Sequence, residues 1–454
     1  MTILRTSGHL WLFLLIPLLV IVPTAAAASL SSLTLEEQDL YPVWTWGYNY
    51  YGQLGDNTTT NRKAPIPVTS LIGVRAVAAG SFHTLAVLND GTVYAWGSNS
   101  AGQLGIEAVS ESKVPMQIPG LTNVVSVAAG VFHSIALKAD GTVWAWGANF
   151  CGQLGDNTTT ARSQPVQVVG LSDVQMITTM WSHNMAVKRD GTLWGWGWNN
   201  NGQIGDGTTF DKRVPVQLPT LSDVQSVATG PAHTVALKSD GTVWTWGARD
   251  DGRLGDGSGM NQPLPVPVSD LSGVKGVAAG TAHSLAVKTD GTVWAWGWNN
   301  EGQLGNGTLT SESRPVQLSG MSNVRTVIAG LSHSLAITAD GALWAWGSND
   351  YGKLGDNSTV VRRLEPVHVV GLSSVKQVWA RGHNIALCGD STDVRGDLNG
   401  DGRVTMADIA LLASGYGFTG ACDGWNPLFD LNEDEKIDLY DFVILATLLE
   451  PAIP

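Results

Sequence analysis

The chain has 454 residues, of which 43% are hydrophobic and only 14% are charged, and this balance excludes an intrinsically disordered protein. The formal net charge is −13, and residues 394–454 alone hold eleven acidic and three basic side chains, so the basic stripe of a nucleic-acid-binding protein is absent. The three cysteines are too few for a disulfide-stapled fold; a pair between Cys388 and Cys422 would leave Cys151 odd, and the sequence leaves both states open.

Residues 1–28 have the order of a secretory signal peptide. Arg5 and His9 precede an apolar run from Leu10 to Val22, and small residues from Ala25 to Ala28 follow. The run is shorter than the roughly 20 residues that a membrane-spanning helix needs. We therefore expect bacterial-type export, a secreted or cell-surface protein without a membrane span after cleavage, and a short leader at 29–41. An uncleaved anchor is the alternative.

A unit of fifty residues recurs seven times over residues 42–390. The second tryptophan of an aromatic pair recurs at positions 46, 96, 146, 196, 246, 296 and 346, and a histidine recurs at positions 83, 133, 183, 233, 283, 333 and 383. In six units an Asp-Gly dipeptide, such as Asp290-Gly291, separates two stretches of alternating polarity, which predicts a hairpin with positive φ angles at the turn.

Two shorter strands precede each hairpin, such as the segments PVQL from Pro215 and VQSVATG from Val224, with a polar turn at Ser222-Asp223 between them. We group these four strands into one unit. Four strands and a period near fifty predict an all-β fold, a seven-bladed β-propeller.

The aromatic pair of each unit predicts how the blades pack. Trp144 and Trp146 lie on one face of their strand and the small Ala145 on the other, so we interpret the tryptophans as packing between blades and not as a ligand site. No WxWG strand follows the last histidine, and no hairpin precedes Val43–Gly47. We therefore expect that strand to complete the blade begun by residues of about 365–388 and to close the ring.

The repeated histidines and glycines are interpreted as structural. Equivalent positions on seven blades lie far apart, whereas a zinc ion needs three or four ligands within about 2.3 Å. We expect the histidine ring nitrogens to bond to backbone or to a neighbouring turn. The GQLGD segments precede no helix and lack the Lys-Ser/Thr of a phosphate-binding loop, which favours tight turns.

The repeat AGxxHSLAxxxDGTVWAWGxNxxGQLGDG resembles that of the regulator-of-chromosome-condensation family, whose members form seven-bladed propellers. The resemblance implies the fold over about 42–390 and leaves the task open. The founding member is a nucleotide exchange factor for a nuclear small GTPase and binds chromatin; guanine nucleotide exchange is thus one alternative, although an exported acidic chain lacks that compartment and the basic tail.

Two other members of the family bear on function. The Gly-Trp-Arg-His-Thr signature of the plant UV-B photoreceptor is replaced here by segments such as GSFHT (80–84) and GPAHT (230–234), so the resemblance does not extend to photoreception. The chain is also similar to secreted bacterial propellers, one of which inhibits β-lactamases with a loop face. This similarity implies protein recognition.

Recognition is expected where the repeats differ, on the face shared by the loops after WG and the turns before the histidines. This face collects nine aromatic residues: Tyr50, Tyr51, Phe82, Phe132, Phe150, Trp181, Trp198, Trp298 and Tyr351. It also collects the basic residues Arg62, Lys63, Lys113, Arg162, Lys212, Arg213, Arg314, Arg362 and Arg363. Such a mixture is typical of a surface that binds an unknown protein or glycan. Alternatively, each Arg pairs with an Asp of its own loop, such as Asp56 or Asp206.

Residues 391–454 contain two acidic loops with the spacing of calcium sites. Oxygen-bearing side chains occupy positions 1, 3, 5 and 12 of the first loop (Asp397, Asn399, Asp401 and Asp408), and positions 1, 3, 5, 9 and 12 of the second (Asp430, Asn432, Asp434, Asp438 and Asp441). Gly402 supplies the sharp turn of the first loop. Because an apolar segment follows each loop, we predict two calcium loops that each precede a helix.

The two loops resemble a dockerin, a small α-helical, EF-hand-like domain that binds calcium and a cohesin partner. The resemblance implies calcium ligands at Asp397, Asn399, Asp401, the backbone of Arg403, Asp408, Asp430, Asn432, Asp434, the backbone of Lys436, and Asp441. Glu435 replaces the loop glycine, and Met406-Ala407 and Leu439-Tyr440 replace the small-hydroxyl pairs of many dockerins. A structural calcium clip without a partner is the alternative.

These features predict a secreted, non-catalytic recognition propeller, tethered by a dockerin-like module to a cohesin-like or cell-surface protein. The propeller sequence shows no Ser-His-Asp or Cys-His arrangement. The alternative is a carbohydrate-binding or polysaccharide-degrading component of a dockerin–cohesin complex. Its candidate carboxylates outside the repeat are Glu107, Glu111, Asp250, Asp251 and Glu301.

Overall fold

The computed structural model describes residues 42–389 apart from Ala108, and the single positions 409, 412, 413, 436, 437, 441 and 445. Within this part of the chain, twenty-eight strands form seven four-stranded antiparallel sheets, the blades of a propeller. Two short 3₁₀ helices, Asp250–Gly252 and Asp350–Gly352, lie in loops between strands. No helix among the described residues is long and apolar enough to cross a membrane.

Each blade has four strands in the same order from the ring axis outwards. The innermost strands are β3 (Val74–Ala79), β7 (Val124–Ala129), β11 (Val174–Thr179), β15 (Val224–Thr229), β19 (Val274–Ala279), β23 (Val324–Ala329) and β27 (Val375–Ala380). The second strands begin at the repeated histidine: β4 (His83–Leu88), β8 (His133–Lys138), β12 (His183–Lys188), β16 (His233–Lys238), β20 (His283–Lys288), β24 (His333–Thr338) and β28 (His383–Cys388).

The third strands carry the aromatic pair: β1 (Val43–Gly47), β5 (Val93–Ser98), β9 (Val143–Gly147), β13 (Leu193–Gly197), β17 (Val243–Gly247), β21 (Val293–Gly297) and β25 (Leu343–Ser348). The outermost strands are β2 (Arg62–Pro67), β6 (Glu111–Gln117), β10 (Arg162–Gln167), β14 (Lys212–Gln217), β18 (Gln262–Pro267), β22 (Glu312–Gln317) and β26 (Arg362–His368). Blades 1 to 6 are built from the consecutive strands β3 to β26, four at a time, and blade 7 combines β27 and β28 with β1 and β2.

The predicted grouping of strands into blades was wrong at one point. The PVQL strand was expected to begin a unit, but β14 pairs with the strand before it, where Trp194 lies opposite Gln217. The outermost strand therefore ends a blade. The polar turn at Ser222-Asp223 consequently connects two blades instead of two strands of one blade.

The predicted closure of the ring is confirmed and extends further than expected. β1 pairs with β28, from Val43 opposite Leu387 to Gly47 opposite His383. β2 adds to the outer edge of β1, so blade 7 takes two strands from each end of the described chain. Residues 365–368 were also expected in this blade, but they belong to β26 of blade 6. Where the propeller begins and ends, Cys388 N donates to Pro42 O at 3.3 Å.

The Asp-Gly hairpins form with a turn that differs from the predicted one. Only the glycine has a positive φ angle, +79° at Gly91, and Gly91 N donates to Leu88 O at 2.9 Å. Asp90 has another role, because its Oδ1 accepts from Thr92 N at 2.8 Å and from Thr92 Oγ1 at 2.6 Å. The aspartate thus fixes the turn through its side chain, as Asp and Asn commonly do.

The tryptophans pack between blades, as predicted. Trp146 of blade 2 is fully buried and packs with Leu85 and Ala95 of blade 1 in one hydrophobic cluster. Similar clusters fill the other blade interfaces. The indole N–H is also satisfied, since Trp96 Nε1 donates to Gln53 O of the preceding blade at 2.9 Å. Each blade therefore contributes a large aromatic face and a small-residue face to the core.

Candidate recognition face

A buried asparagine side chain holds the long loop after six of the seven third strands, and the loop after β17 has the exposed Arg249 at this position. In blade 7, Asn49 Nδ2 donates to Asp56 Oδ1 and Thr60 O, both at 3.0 Å, and Asn49 Oδ1 accepts from Leu54 N at 2.9 Å. Equivalent bonds are made by Asn149, Asn199 and Asn299. Because these bonds fix the loop at several points, its exposed side chains are presented on a rigid support.

Most of the basic residues expected on this face are engaged in ion pairs. Arg62 Nη2 lies 2.8 Å from Asp56 Oδ2 of its own loop. Three further pairs follow this pattern: Arg162 with Asp156 (3.0 Å), Lys212 with Asp206 (2.7 Å) and Arg363 with Asp356 (2.9 Å). Two pairs join different loops: Arg314 with Asp270 (3.5 Å) and Arg362 with Glu301 (3.7 Å). The alternative interpretation is thus confirmed for four of the nine residues. Lys63, Lys113 and Arg213 are exposed and form no ion pair with a described residue.

Six aromatic side chains form a continuous row across four blades. The ring centroids of Tyr351 and Tyr48 are 4.8 Å apart, and Tyr50 stacks on Tyr48 at 6.5 Å with 7° between the ring planes. Tyr51 contacts Phe82 edge-on at 5.5 Å. Phe82 lies 5.6 Å from Phe132. We call this set the aromatic stripe: Tyr48, Tyr50, Tyr51, Phe82, Phe132 and Tyr351.

The aromatic stripe combines mutual packing with exposed edges. Tyr50 is 66% exposed and Tyr351 is 54% exposed, while the other four residues are half-buried. Burial raises the pKa of the Tyr48 phenol, and the neighbouring tyrosines Tyr51, Tyr351 and Tyr50 raise it further, so Tyr48 is uncharged at neutral pH. The stripe is therefore an apolar surface whose rings are held in fixed mutual geometry.

The structure brings together five of the nine predicted aromatic residues. Tyr50, Tyr51, Phe82, Phe132 and Tyr351 lie in the aromatic stripe. The remaining four occupy the same face without a ring–ring contact to the stripe in the described chain: Phe150 and Trp181, which are exposed, and Trp198 and Trp298, which are half-buried. Sequence reasoning missed Tyr48, although it occupies the same position in its unit as Trp198 and Trp298 do in theirs.

The loop that carries Tyr351 has an unusual backbone. Tyr351 adopts φ +64° and ψ 13°, a left-handed conformation that costs a non-glycine residue about 1 kcal/mol or more. Tyr51, the equivalent residue of blade 7, is not in this conformation. The neighbouring Tyr48 ring packs on Tyr351 at 4.8 Å and helps to hold it in place.

Two unpaired lysines border the aromatic stripe. Asn357 N donates to Lys63 O at 3.1 Å, and Asn57 N donates to Lys113 O at 3.0 Å, so each tyrosine-bearing loop is fastened to the outer strand of the next blade. The glycine after Tyr351 packs directly on Lys63, and the glycine after Tyr51 packs directly on Lys113. The apolar stripe consequently has a cationic rim.

The seven repeated histidines connect neighbouring blades. His83 Nε2 lies 2.9 Å from Ser134 Oγ, and that hydroxyl donates to Gln103 O at 2.7 Å, so the proton of the first contact belongs to Nε2. In the same way, His133 Nε2 donates to Asn184 Oδ1 at 2.8 Å. The prediction of a structural role is confirmed, but the partner is a side chain of the next blade and not a backbone group or turn.

Burial keeps these histidines neutral. It lowers the pKa of His83 to about 3 and that of His133 to about 4. Both side chains are fully buried, and neither Nδ1 atom has a hydrogen-bond partner among the described residues. Groups of three or more His, Cys, Asp or Glu side chains suited to a metal ion do not occur in the described part of the chain.

Comparison with known proteins agrees with this architecture. The model of the RCC1-like domain matches residues 13–324 and 122–396, which together span most of the chain. The chain belongs to the RCC1-like domain family. No curated protein matches its sequence.

Solved structures of other proteins share the RCC1-like fold. Human WBSCR16 is 22% identical with a TM-score of 0.71, over 77% of this chain and 100% of WBSCR16. Prp20p from Saccharomyces cerevisiae, studied for its binding to Gsp1p and histones, is 22% identical with a TM-score of 0.69, over 78% and 93% of the two chains. Yeast RCC1 (Prp20) bound to Kap60 gives a TM-score of 0.70 at 22% identity, over 77% and 89%. At this identity the similarity shows the fold alone.

The candidate carboxylates lie on three blades of the RCC1-like propeller. Asp251 pairs with Arg253 at 3.2 Å, and Glu301 pairs with Arg362 at 3.7 Å. Glu107 Oε1 accepts from Ser163 Oγ at 3.3 Å. Asp250 and Glu111 are exposed. The Asp251 and Glu301 side chains thus have ion-pair partners within the fold.

The predicted C-terminal calcium sites lie almost wholly outside the described residues. Of the ten proposed ligands, only Lys436, which is exposed, and Asp441, which is fully buried, are described. The other eight proposed ligands, the predicted signal peptide and the predicted leader lie outside the described residues. Cys388 is buried at the end of β28 of the RCC1-like propeller, and Cys422 lies outside the described residues.

Proposed function

We propose that this RCC1-like propeller is a non-catalytic recognition protein that binds a partner protein through the aromatic stripe. The observation that carries the proposal is the continuous row of six rings with the exposed edges of Tyr50 and Tyr351. Tyrosine is enriched among the residues that dominate binding energy at protein interfaces. The rings are already packed together, so little side-chain entropy is lost on binding.

The chemistry of the rim indicates the kind of partner. Lys63 and Lys113 border the apolar stripe and have no ion-pair partner among the described residues. A complementary protein surface has an apolar centre flanked by Asp or Glu. Protein binding also occurs elsewhere in the family, since yeast Prp20p has been studied with Gsp1p and histones and solved with Kap60.

The proposal is tested by substituting the two exposed rings. Tyr50→Ala removes one ring, and Tyr351→Asn removes the other while supplying a residue that tolerates the left-handed backbone. Phe210→Ala is the matched control, because Phe210 is 75% exposed on the same face outside the stripe. Immobilised wild type and variants are compared for the proteins that they retain from the culture medium and cell-surface extract of the source organism.

We expect at least one protein to be retained by wild type and Phe210→Ala, and its retention to fall at least tenfold with Tyr50→Ala or Tyr351→Asn. Equal retention by all four proteins would contradict the proposal. A glycan array is probed in parallel. Binding of a polysaccharide that depends on Tyr50 and Tyr351, without a retained protein, would favour the carbohydrate-binding alternative.

We further propose that the protein is exported and tethered through a calcium-binding, dockerin-like module at residues 391–454. The support is the pair of acidic loops in the sequence, with Asp397 and Asp430 at their first ligand positions. Calorimetric titration of the full chain should show calcium binding that is weakened by Asp397→Ala and Asp430→Ala. If chelation leaves the captured tethering partner unchanged, the tether does not depend on calcium and this part of the proposal is wrong.

A further inference from the structure

One position near the ring axis breaks the repeat with a charge. Arg381 follows the innermost strand β27 and lies in the short turn before His383. The equivalent residues of blades 1 to 6 are uncharged: Ser81, Val131, Trp181, Pro231, Thr281 and Leu331. The innermost strands surround the axis, so this turn stands at the mouth of the central channel on the loop face.

The Arg381 side chain crosses the channel mouth. Its Nη2 donates to Thr179 O at the end of β11, in blade 3, which lies opposite blade 7 in the ring. The residue is only 5% exposed. Nε has no hydrogen-bond partner, and no carboxylate of the described residues forms an ion pair with the guanidinium.

A second buried arginine, Arg253, has the carboxylate partner that Arg381 lacks among the described residues. Arg253 is 9% exposed, and its Nη2 lies 3.2 Å from Asp251 Oδ2, so its charge is compensated within the loop. A buried cation that lacks such a partner is unfavourable unless another group neutralises it. The one carbonyl of Thr179 compensates only part of the guanidinium charge.

The groups nearest to Arg381 do not supply a negative charge. Its positive charge contributes to lowering the pKa of three ring histidines, His83, His133 and His183, which places the guanidinium near all three. Burial is the main cause of these shifts and keeps the histidines neutral. The channel mouth is therefore a region of positive potential enclosed by uncharged groups.

We propose that the mouth of the central channel is a binding site for a small free carboxylate, held by the guanidinium of Arg381. The Nε–H donor is buried and unpartnered, and a guanidinium can bind a carboxylate through two parallel hydrogen bonds. The enclosure of Arg381 favours a small anion over a side chain of a partner protein. The site lies beside the aromatic stripe, since Tyr48 N donates to Gly382 O at 3.4 Å, but it does not depend on the proposed partner.

The test uses sodium acetate as the probe with the full-length chain. The thermal midpoint is measured against acetate concentration at constant ionic strength, with gluconate as the bulky replacement anion. We expect a saturable rise of the wild-type midpoint and no saturable rise for Arg381→Met. Arg253→Met is the matched control and should keep the rise, because Arg253 is already paired. A flat wild-type curve, or an unchanged rise in Arg381→Met, overturns the proposal.

A second measurement on the wild type keeps the test decisive if Arg381→Met does not fold. Crystals are soaked in bromide, which competes for small-anion sites and is located by its anomalous scattering. A peak within hydrogen-bond distance of Arg381 Nε supports the site. Bromide peaks only at surface positions overturn it.

Discussion

Protonation of any of the seven repeated histidines destabilises the folded propeller. His83 and His133 are fully buried, and Nε2 of each already bonds to the next blade, so a second proton would go to an Nδ1 atom without a described partner. The folded-state pKa values of about 3 and about 4 lie below the ordinary value of 6.5. The unfolded chain therefore binds more protons than the folded chain between about pH 4 and pH 6.5.

We predict a steep loss of stability in mild acid. The stabilising contribution of the neutral histidines is complete above pH 6.5 and decreases as the pH falls toward 4, by about 1.4 kcal/mol per pH unit for each histidine. Denaturant titrations from pH 7.5 to 4.5 measure this slope. His133→Asn should reduce it by about one proton, whereas the control His368→Asn, at an exposed position of β26, should not.

Single residues also show where sequence reasoning ends. The structural role of the histidines could be predicted, because seven equivalent positions on a ring are too far apart for one metal ion. Tyr48 could have been found by comparing its position with Trp198 and Trp298. The hydrogen bond between Arg381 and Thr179 could not be predicted, because 202 positions separate the two residues. They come together only when the ring closes and places blade 7 opposite blade 3.

The contact between two blades depends on a glycine beneath each buried tryptophan. Gly55 has φ +77°, and a Cβ atom there would lie 2.8 Å from Trp96 Nε1. The indole is fixed at that place by its bond to Gln53 O. The interface therefore has no room for a side chain at Gly55.

We predict that Gly55→Ala destabilises the protein more than Gly120→Ala. Gly120 has a similar φ of +72°, but a Cβ atom there meets nothing within 4 Å. Both variants bear the left-handed penalty of about 1 kcal/mol, and Gly55→Ala adds about 1–3 kcal/mol because it displaces Trp96. Urea unfolding of the two variants measures the difference. Equal free energies of unfolding would show that the interface relaxes around the new methyl group.

Strands were more predictable than blades. The hairpin around Asp90-Gly91 is set by local turn chemistry, so its strands follow from the sequence. The blade to which the PVQL strand belongs does not follow from the sequence, because a fifty-residue period is the same wherever the unit is taken to begin. Only the pairing of Trp194 with Gln217 decides it, and that pairing spans a loop of fourteen residues between β13 and β14.

For the molecule as a whole, stability depends on blade 7, where the ring closes. β1 supplies Trp46, which is fully buried and donates from Nε1 to Lys353 O at 3.0 Å. It also separates β28 from β2, which makes the closing sheet continuous. Loss of β1 would therefore open the ring at blade 7, the blade that is built from two separate parts of the chain.

We predict that deletion of residues 42–48 lowers the thermal midpoint more than Trp46→Ala, which itself costs about 3–5 kcal/mol. The deletion removes the indole, leaves β2 without a partner strand and leaves β28 paired with β27 alone. Differential scanning calorimetry compares the two variants with a control that lacks seven residues of the predicted leader, 30–36. A midpoint of the deletion variant equal to that of the control would show that blade 7 does not close the ring.

The contact between Cys388 and Pro42 fixes where the two ends of the propeller emerge. Both residues lie at the end of blade 7 that corresponds to the Asp-Gly hairpins of the other blades. The aromatic stripe lies at the opposite end of the strands. A support, fusion protein or tag joined directly to Pro42 or Cys388 is therefore attached at one pole, and the stripe lies at the other. Attachment directly at these two residues consequently directs the aromatic pole of the propeller into solution.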